Sequence, residues 1–171
     1  MSRVDDLFAL ASAIVLEEEG VFSDEAQDPG GETKWGIARA EHPEITAQAW
    51  AAFTVDDALA LYRAKYFDAH RCGDMPAHWA VGIFDAAVNP CGPVIEWAQS
   101  ALEVAADGKI GEQTIAAMSD RFADDAFDLF FAQRAEGYTR QPAYELGHLK
   151  RLFAVQRKIL QRSPVVGLQG A

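Results

Sequence analysis

Three adjacent carboxylates, Glu17-Glu18-Glu19, close an apolar run and stand directly before Gly20. The run at residues 7–16 reads as a helix, so the triplet sits at a helix C-terminus, where the partial negative charge of the helix end disfavours another negative charge. Neighbouring carboxylates and burial act in the same direction, and all three effects raise a carboxyl pKa. A carboxylic acid still protonated near neutral pH is what a general acid requires. Cleavage of a glycosidic bond uses such an acid, commonly with a second carboxylate that is ionised. Between Glu17 and Glu32 there are seven carboxylates and no Lys or Arg, a density that repels itself and needs full solvation or a purpose. The plainer reading is a solvated helix terminus, and helical angle does not choose between Glu18 and Glu19.

The elements around the triplet follow from periodicity and punctuation. Apolar residues occur at every angle around residues 7–16, which places this helix deep in the core, and Gly20 is a helix stop. Gly20, Pro29, Gly30, Gly31 and Gly36 then interrupt short polar pieces, predicting a loop and a small β-hairpin ending near Trp35-Gly36-Ile37. Thr54 N-caps a helix through about Tyr66, with Asp56 and Asp57 in its first turn. Ala77 to Val88 is an almost wholly apolar helix stopped by Asn89-Pro90, and Pro93 to Val104 is another. Asp107-Gly108-Lys109-Ile110-Gly111 is a turn, with a helix starting at Glu112. Two longer helices are predicted at about 123–139 and 145–162, and residues 163–171 lack periodicity and read as a frayed tail. With no internal repeat or linker, one domain is expected over 1–171.

Composition narrows the function. A chain of 171 residues can bury a core without staples. Its 26 acidic and 15 basic residues, net −11, argue against a nucleic-acid binder and against an electrostatic membrane anchor. The charge is uneven: residues 1–120 hold 21 acidic and 7 basic residues, whereas residues 121–171 hold 5 acidic and 8 basic ones. The basic stretch with Lys150, Arg151, Arg157, Lys158 and Arg162 can offset the acidic part by facing a substrate or by neutralising that part internally. Cys72 and Cys91 are too few for a disulfide framework and are expected as free thiols. His70-x-Cys72 is half a metal site with no second pair, so neither a metal nor a cofactor is expected. The run Phe8 to Leu16 is preceded by Asp5 and Asp6 and ended by glutamates, the wrong polarity for a secretory signal. Cytoplasmic synthesis without stable membrane insertion is the expectation.

Asp85 and Asn89, four apart on one helical face, either line a groove or cap and cross-link helices. Trp35, Tyr62, Tyr66, Phe67 and Trp97 can stack on sugar rings, but aromatics at helical spacing are more often core, so one or two in a groove are expected.

Glu19-Gly20-Val21-Phe22, followed by Asp28-Pro29-Gly30-Gly31-Glu32-Thr33-Lys34-Trp35-Gly36-Ile37, resembles without a gap the N-terminal signature of glycoside hydrolase family 108, phage-type N-acetylmuramidases. Val21 stands where the family has Gly, and Phe22 where it has Tyr. Cys72-Gly73-Asp74-Met75-Pro76 with Phe84-Asp85-Ala86-Ala87-Val88-Asn89 is similar to its middle segment. Ala101-Leu102 and Asp107 to Thr114 are similar to its C-terminal part, often described as peptidoglycan-binding. The resemblance implies a mainly α, lysozyme-like α+β fold: a helical bundle around a buried helix, with a small β-hairpin beside the catalytic Glu. It divides the chain into a catalytic part at about 7–90 and a C-terminal helical part at about 91–162. It makes Glu19 the catalytic acid, with Asp28 and Thr33 as a water-orienting base and its hydrogen-bond partner. Trp35, Phe22, Asp85, Asn89 and Tyr66 are the corresponding substrate-binding candidates. The implied activity is hydrolysis of the β-1,4 bond between N-acetylmuramic acid and N-acetylglucosamine by a monomeric phage or prophage endolysin, released to the wall by a holin. A lytic transglycosylase, or a peptidoglycan-binding domain of weakened turnover, is the alternative.

Overall fold

The computed structural model describes residues 2–18, 33–120, 123–140 and 145–162. Gly20, Glu19, Phe22, Asp28 and the tail at 163–171 lie outside the described residues. Among those described, eight α-helices and one two-stranded antiparallel sheet occur.

Helix α1 (Arg3–Glu18) opens on a reciprocal cap: the Asp5 N–H donates to Ser2 Oγ at 3.2 Å, and the Ser2 N–H donates to Asp5 Oδ2 at 3.1 Å. Leu7, Ala11, Ile14 and Val15 form its buried face, while Ala9 and Ala13 face outward. It therefore packs on one side of the core and is not enclosed by it. The enclosed helix is α4 (Ala77–Val88), where every residue from His78 to Ala86 is buried. Two near-identical apolar runs thus have different surroundings, because α1 places alanines on the side it leaves open.

Strands β1 (Thr33–Lys34) and β2 (Ile37–Ala38) pair with Lys34 opposite Ile37. Helix α2 (Ala47–Ala51) is capped by Thr46, and α3 (Val55–Tyr62) by a Thr54–Asp57 capping box. The helix expected to run to about Tyr66 continues instead as a π-helical segment, Arg63–Asp68. Winding of the i→i+5 kind brings residues five apart onto one face, and it is Tyr62 and Phe67 that are buried there.

Helix α5 (Val94–Ala101) stops three residues before the expected Val104. Glu103 takes a left-handed conformation, φ 56°, and the Val104 N–H reaches back to the Gln99 carbonyl at 3.0 Å, a Schellman ending without glycine. Gln99 also ties down the following turn. Its Nε2 donates to Asp107 Oδ1 (2.8 Å) and the Lys109 carbonyl (3.0 Å), and its Oε1 accepts from the Gly108 N–H (2.9 Å). The Asp107–Gly111 motif is thus held in place by a side chain of α5 and leads into α6 (Glu112–Met118). Helices α7 (Ala123–Thr139) and α8 (Glu145–Arg162) match the expected bounds, and α8 contributes Leu152, Val155 and Ile159 to the core. Cys72 and Cys91 are buried free thiols.

Candidate active site

The hairpin beside residues 19–32 is held by two tethers. Lys34 Nζ donates to the carbonyls of Trp50 (2.6 Å) and Ala51 (3.2 Å) at the C-terminal end of α2, where the helix dipole favours a cation. The Tyr62 hydroxyl donates to the Trp35 carbonyl at 3.3 Å. Between the tethers lies a tight turn in which Trp35 (φ 55°) and Gly36 (φ 75°) are both left-handed, the pattern of a type I′ hairpin. A bulky residue there costs about 1–2 kcal/mol, yet tryptophan occupies the position usually taken by Asn or Asp. Its ring is half-buried, resting on the core from outside, with Thr33 exposed at the start of β1.

Tyr66 is half-buried on the same side, with its ring 5.8 Å from that of Tyr62. Burial first and the Glu41 charge second push its phenol pKa up, so it remains a neutral hydroxyl at physiological pH. Of the five aromatics singled out in the sequence, Tyr62 and Phe67 are core, while Trp35, Tyr66 and Trp97 keep partial exposure.

At the end of α1 the carboxylates are paired. Glu17 bonds Arg162 at 3.0 Å and Lys158 at 2.8 Å, and Glu18 bonds Lys158 at 2.5 Å. Hydrogen bonds from Arg162 and then Lys158 pull the Glu17 pKa down to about 2. Lys158 and Arg162 therefore cancel much of the like-charge repulsion expected from Glu17 and Glu18. Glu18 is thus engaged by a cation, and Glu19 lies outside the described residues.

The pH consequence has a definite sign. Because the folded pKa of Glu17 is depressed, its contribution to stability is fully present above the ordinary value of 4.5 and is lost as pH falls towards about 2. The melting-temperature gap between the parent and Arg162→Gln should be constant near neutrality and narrow over that acid range. Thermal unfolding across pH checks this, and a gap unchanged at the acid end would rule the pair out as its source.

Asp85 takes the cross-linking one of its two readings. Its carboxylate is fully buried, with Arg134 of α7 on one oxygen (2.8 Å) and Arg151 of α8 on the other (2.7 Å), and so presents nothing to a groove. Burial opposes its ionisation, but the two guanidinium groups outweigh it and hold its pKa low. Asn89 follows at the end of α4, half-buried, its carbonyl accepting from the Tyr138 hydroxyl at 3.0 Å. Arg134 is a partner that sequence reasoning missed; its one signal is that it is the single cation of α7, three residues beyond Phe131. His70 Nδ1 lies 2.8 Å from the Tyr66 carbonyl in its own turn, and Cys72 is wholly buried. Among the described residues no His, Cys, Asp and Glu cluster suited to a metal occurs.

A buried helix flanked by further helices, with a small tethered hairpin after α1, is a mainly α, lysozyme-like fold. Residues 12–90 match the family model described as Glycosyl hydrolase 108, so the resemblance read from the motifs holds across α1 to α4. The match supports a glycoside hydrolase. The solved structure of Brucella abortus SagA is similar over 96% of this chain and 99% of that one, with a TM-score of 0.76 and 26% identity. No curated protein matches. The stretch at about 91–162, likened above to a peptidoglycan-binding region, lies outside the matched residues.

Proposed function

We propose that this chain is a muramidase that hydrolyses the β-1,4 bond between N-acetylmuramic acid and N-acetylglucosamine in bacterial peptidoglycan. The observation that carries this reading is the ungapped motif from Glu19 to Thr33, which falls inside the stretch matched to glycosyl hydrolase 108. Glu19 protonates the leaving oxygen, Asp28 holds or activates the attacking water, and Thr33 hydrogen-bonds Asp28. Trp35, Tyr66, Phe22 and Asn89 contact the sugars; the strained turn under Trp35 supports this, because strain is retained where a side chain has work to do. The chain acts as one monomeric domain without cofactor. It serves as a phage or prophage endolysin made in the cytoplasm and admitted to the wall by a holin.

Digestion of defined muropeptides followed by mass spectrometry tests the reading. A reducing-end N-acetylmuramic acid product supports it. An anhydro product makes the chain a lytic transglycosylase, which uses the same acid, and binding without any product makes it a binding module. Asp28→Asn and Thr33→Ala should each slow hydrolysis with glycan binding retained, Asp28→Asn by ~10²–10⁴-fold as for the loss of a general base. Initial rates at saturating substrate check this, and full activity in Asp28→Asn would remove Asp28 from the mechanism.

A further inference from the structure

We propose that the outward face of α8 docks on an anionic phospholipid bilayer, lying along its surface. Leu146, Phe153 and Leu160 are 66%, 52% and 51% exposed, the largest such group of big apolar side chains on one element among the described residues. They recur seven residues apart, with Lys150 and Arg157 four residues after the first two. Steps of four and three set all five on one stripe of a helix, about 21 Å long at the α-helical rise. The opposite side of α8 supplies Leu152, Val155 and Ile159 to the core, so the stripe is additional to what folding uses.

The cations of α8 divide in the same way. Arg151 is bound to Asp85, Lys158 to Glu17 and Glu18, and Arg162 to Glu17. Lys150 and Arg157, on the stripe, have no ion-pair partner among the described residues. Asp128 of α7 accepts from Gln156 at 3.0 Å, and Glu17 and Glu18 are paired with Lys158 and Arg162. A chain of net −11 thus presents one face that is locally basic and apolar.

An anionic bilayer matches both halves of this pattern, with head groups for the cations and an acyl layer for the leucines and the ring. A glycan strand offers no layer in which leucines can bury. A second copy of the chain would bring Lys150 and Arg157 onto one seam as like charges. No described helix is long and apolar enough to cross a membrane, consistent with docking along the surface.

Co-sedimentation of the full chain with phosphatidylglycerol–phosphatidylethanolamine vesicles at low salt should show binding, with little to phosphatidylcholine vesicles. Lys150→Gln with Arg157→Gln should weaken it roughly 10–30-fold, as two interfacial cations imply. Phe153→Gln with Leu160→Gln should weaken it comparably, while melting temperature and turnover of soluble glycan fragments stay unchanged. Absence of binding to the anionic vesicles, or equal binding by the variants, overturns the proposal. So does a dimer in sedimentation velocity that Leu160→Gln dissociates, or loss of wall binding in variants of a protein that ignores vesicles.

Discussion

Glu19→Gln should cut peptidoglycan hydrolysis by at least ~10²–10⁴-fold while leaving the melting temperature where it was. The substitution keeps the side chain's size and removes only the proton that Glu19, as the proposed acid, would deliver to the leaving oxygen. Glu18→Gln is the discriminating control. Glu18 sits 2.5 Å from Lys158, in an ion pair that joins the end of α1 to α8. Its replacement should cost some stability and leave most turnover. Release of reducing ends from purified wall, measured beside thermal unfolding, separates the two. Near-normal activity in Glu19→Gln, with a collapse in Glu18→Gln, would transfer the acid to Glu18 and require Lys158 to let go during catalysis.

Arg134→Met should destabilise the fold by about 3–5 kcal/mol, the usual loss when one partner of a buried ion pair is removed. Arg134 is wholly buried, stacks near Phe130 and Phe131 (5.8 and 5.4 Å from its guanidinium carbon to the ring centres), and offers one nitrogen to Asp85. Methionine fills comparable space but leaves the Asp85 carboxylate with Arg151 alone, whose side chain is 13% exposed. Asp85→Asn should be as damaging, because it removes the anion that faces the wholly buried Arg134 and the largely buried Arg151. Asp85→Leu with Arg134→Met should recover part of the loss, since neither buried charge then needs a partner. For a chain of this size the single losses correspond to roughly 6–20 °C in melting temperature. Urea unfolding of the three variants checks the order, and a loss below about 1 kcal/mol in both single variants would show that the pair contributes little.

What could be read in the sequence was local. The Thr54–Asp57 cap, the Asn89-Pro90 stop and the Trp35-Gly36 turn are set by residues within a few positions of each other, and the helices they bound follow. Where the signal was unusual in type it misled: Glu103 ends α5 in a conformation that normally announces itself as glycine. The π-helical winding after Tyr62 answers to burial of Phe67, a tertiary demand with no mark in propensity. Relative burial of two similar apolar helices also depended on neighbours, which is why α4 and not α1 is the enclosed one. Within the candidate site, Thr33, Trp35 and Tyr66 take positions on or beside the hairpin, whereas Glu19, Asp28 and Phe22 lie outside the described residues. The Asp85 cross-link was legible as one of two readings, and its partners were hidden by distance along the chain, Arg134 lying 49 residues and Arg151 66 residues away.

The same distance has a consequence for the order in which the molecule is assembled. Lys158 meets Glu17 across 141 residues, and Leu152, Val155 and Ile159 join the core that holds Ile14 and Val15. Within this chain α1 is made before α4, against which it packs, and long before α8, which carries the cations for its acidic end. Until α8 is made, Glu17 and Glu18 lack those cations and the part of α1 that α8 covers stays open, since contacts so far apart in sequence form late. A chain stalled before α8 would carry the acidic end of α1 without the cations that pair with it.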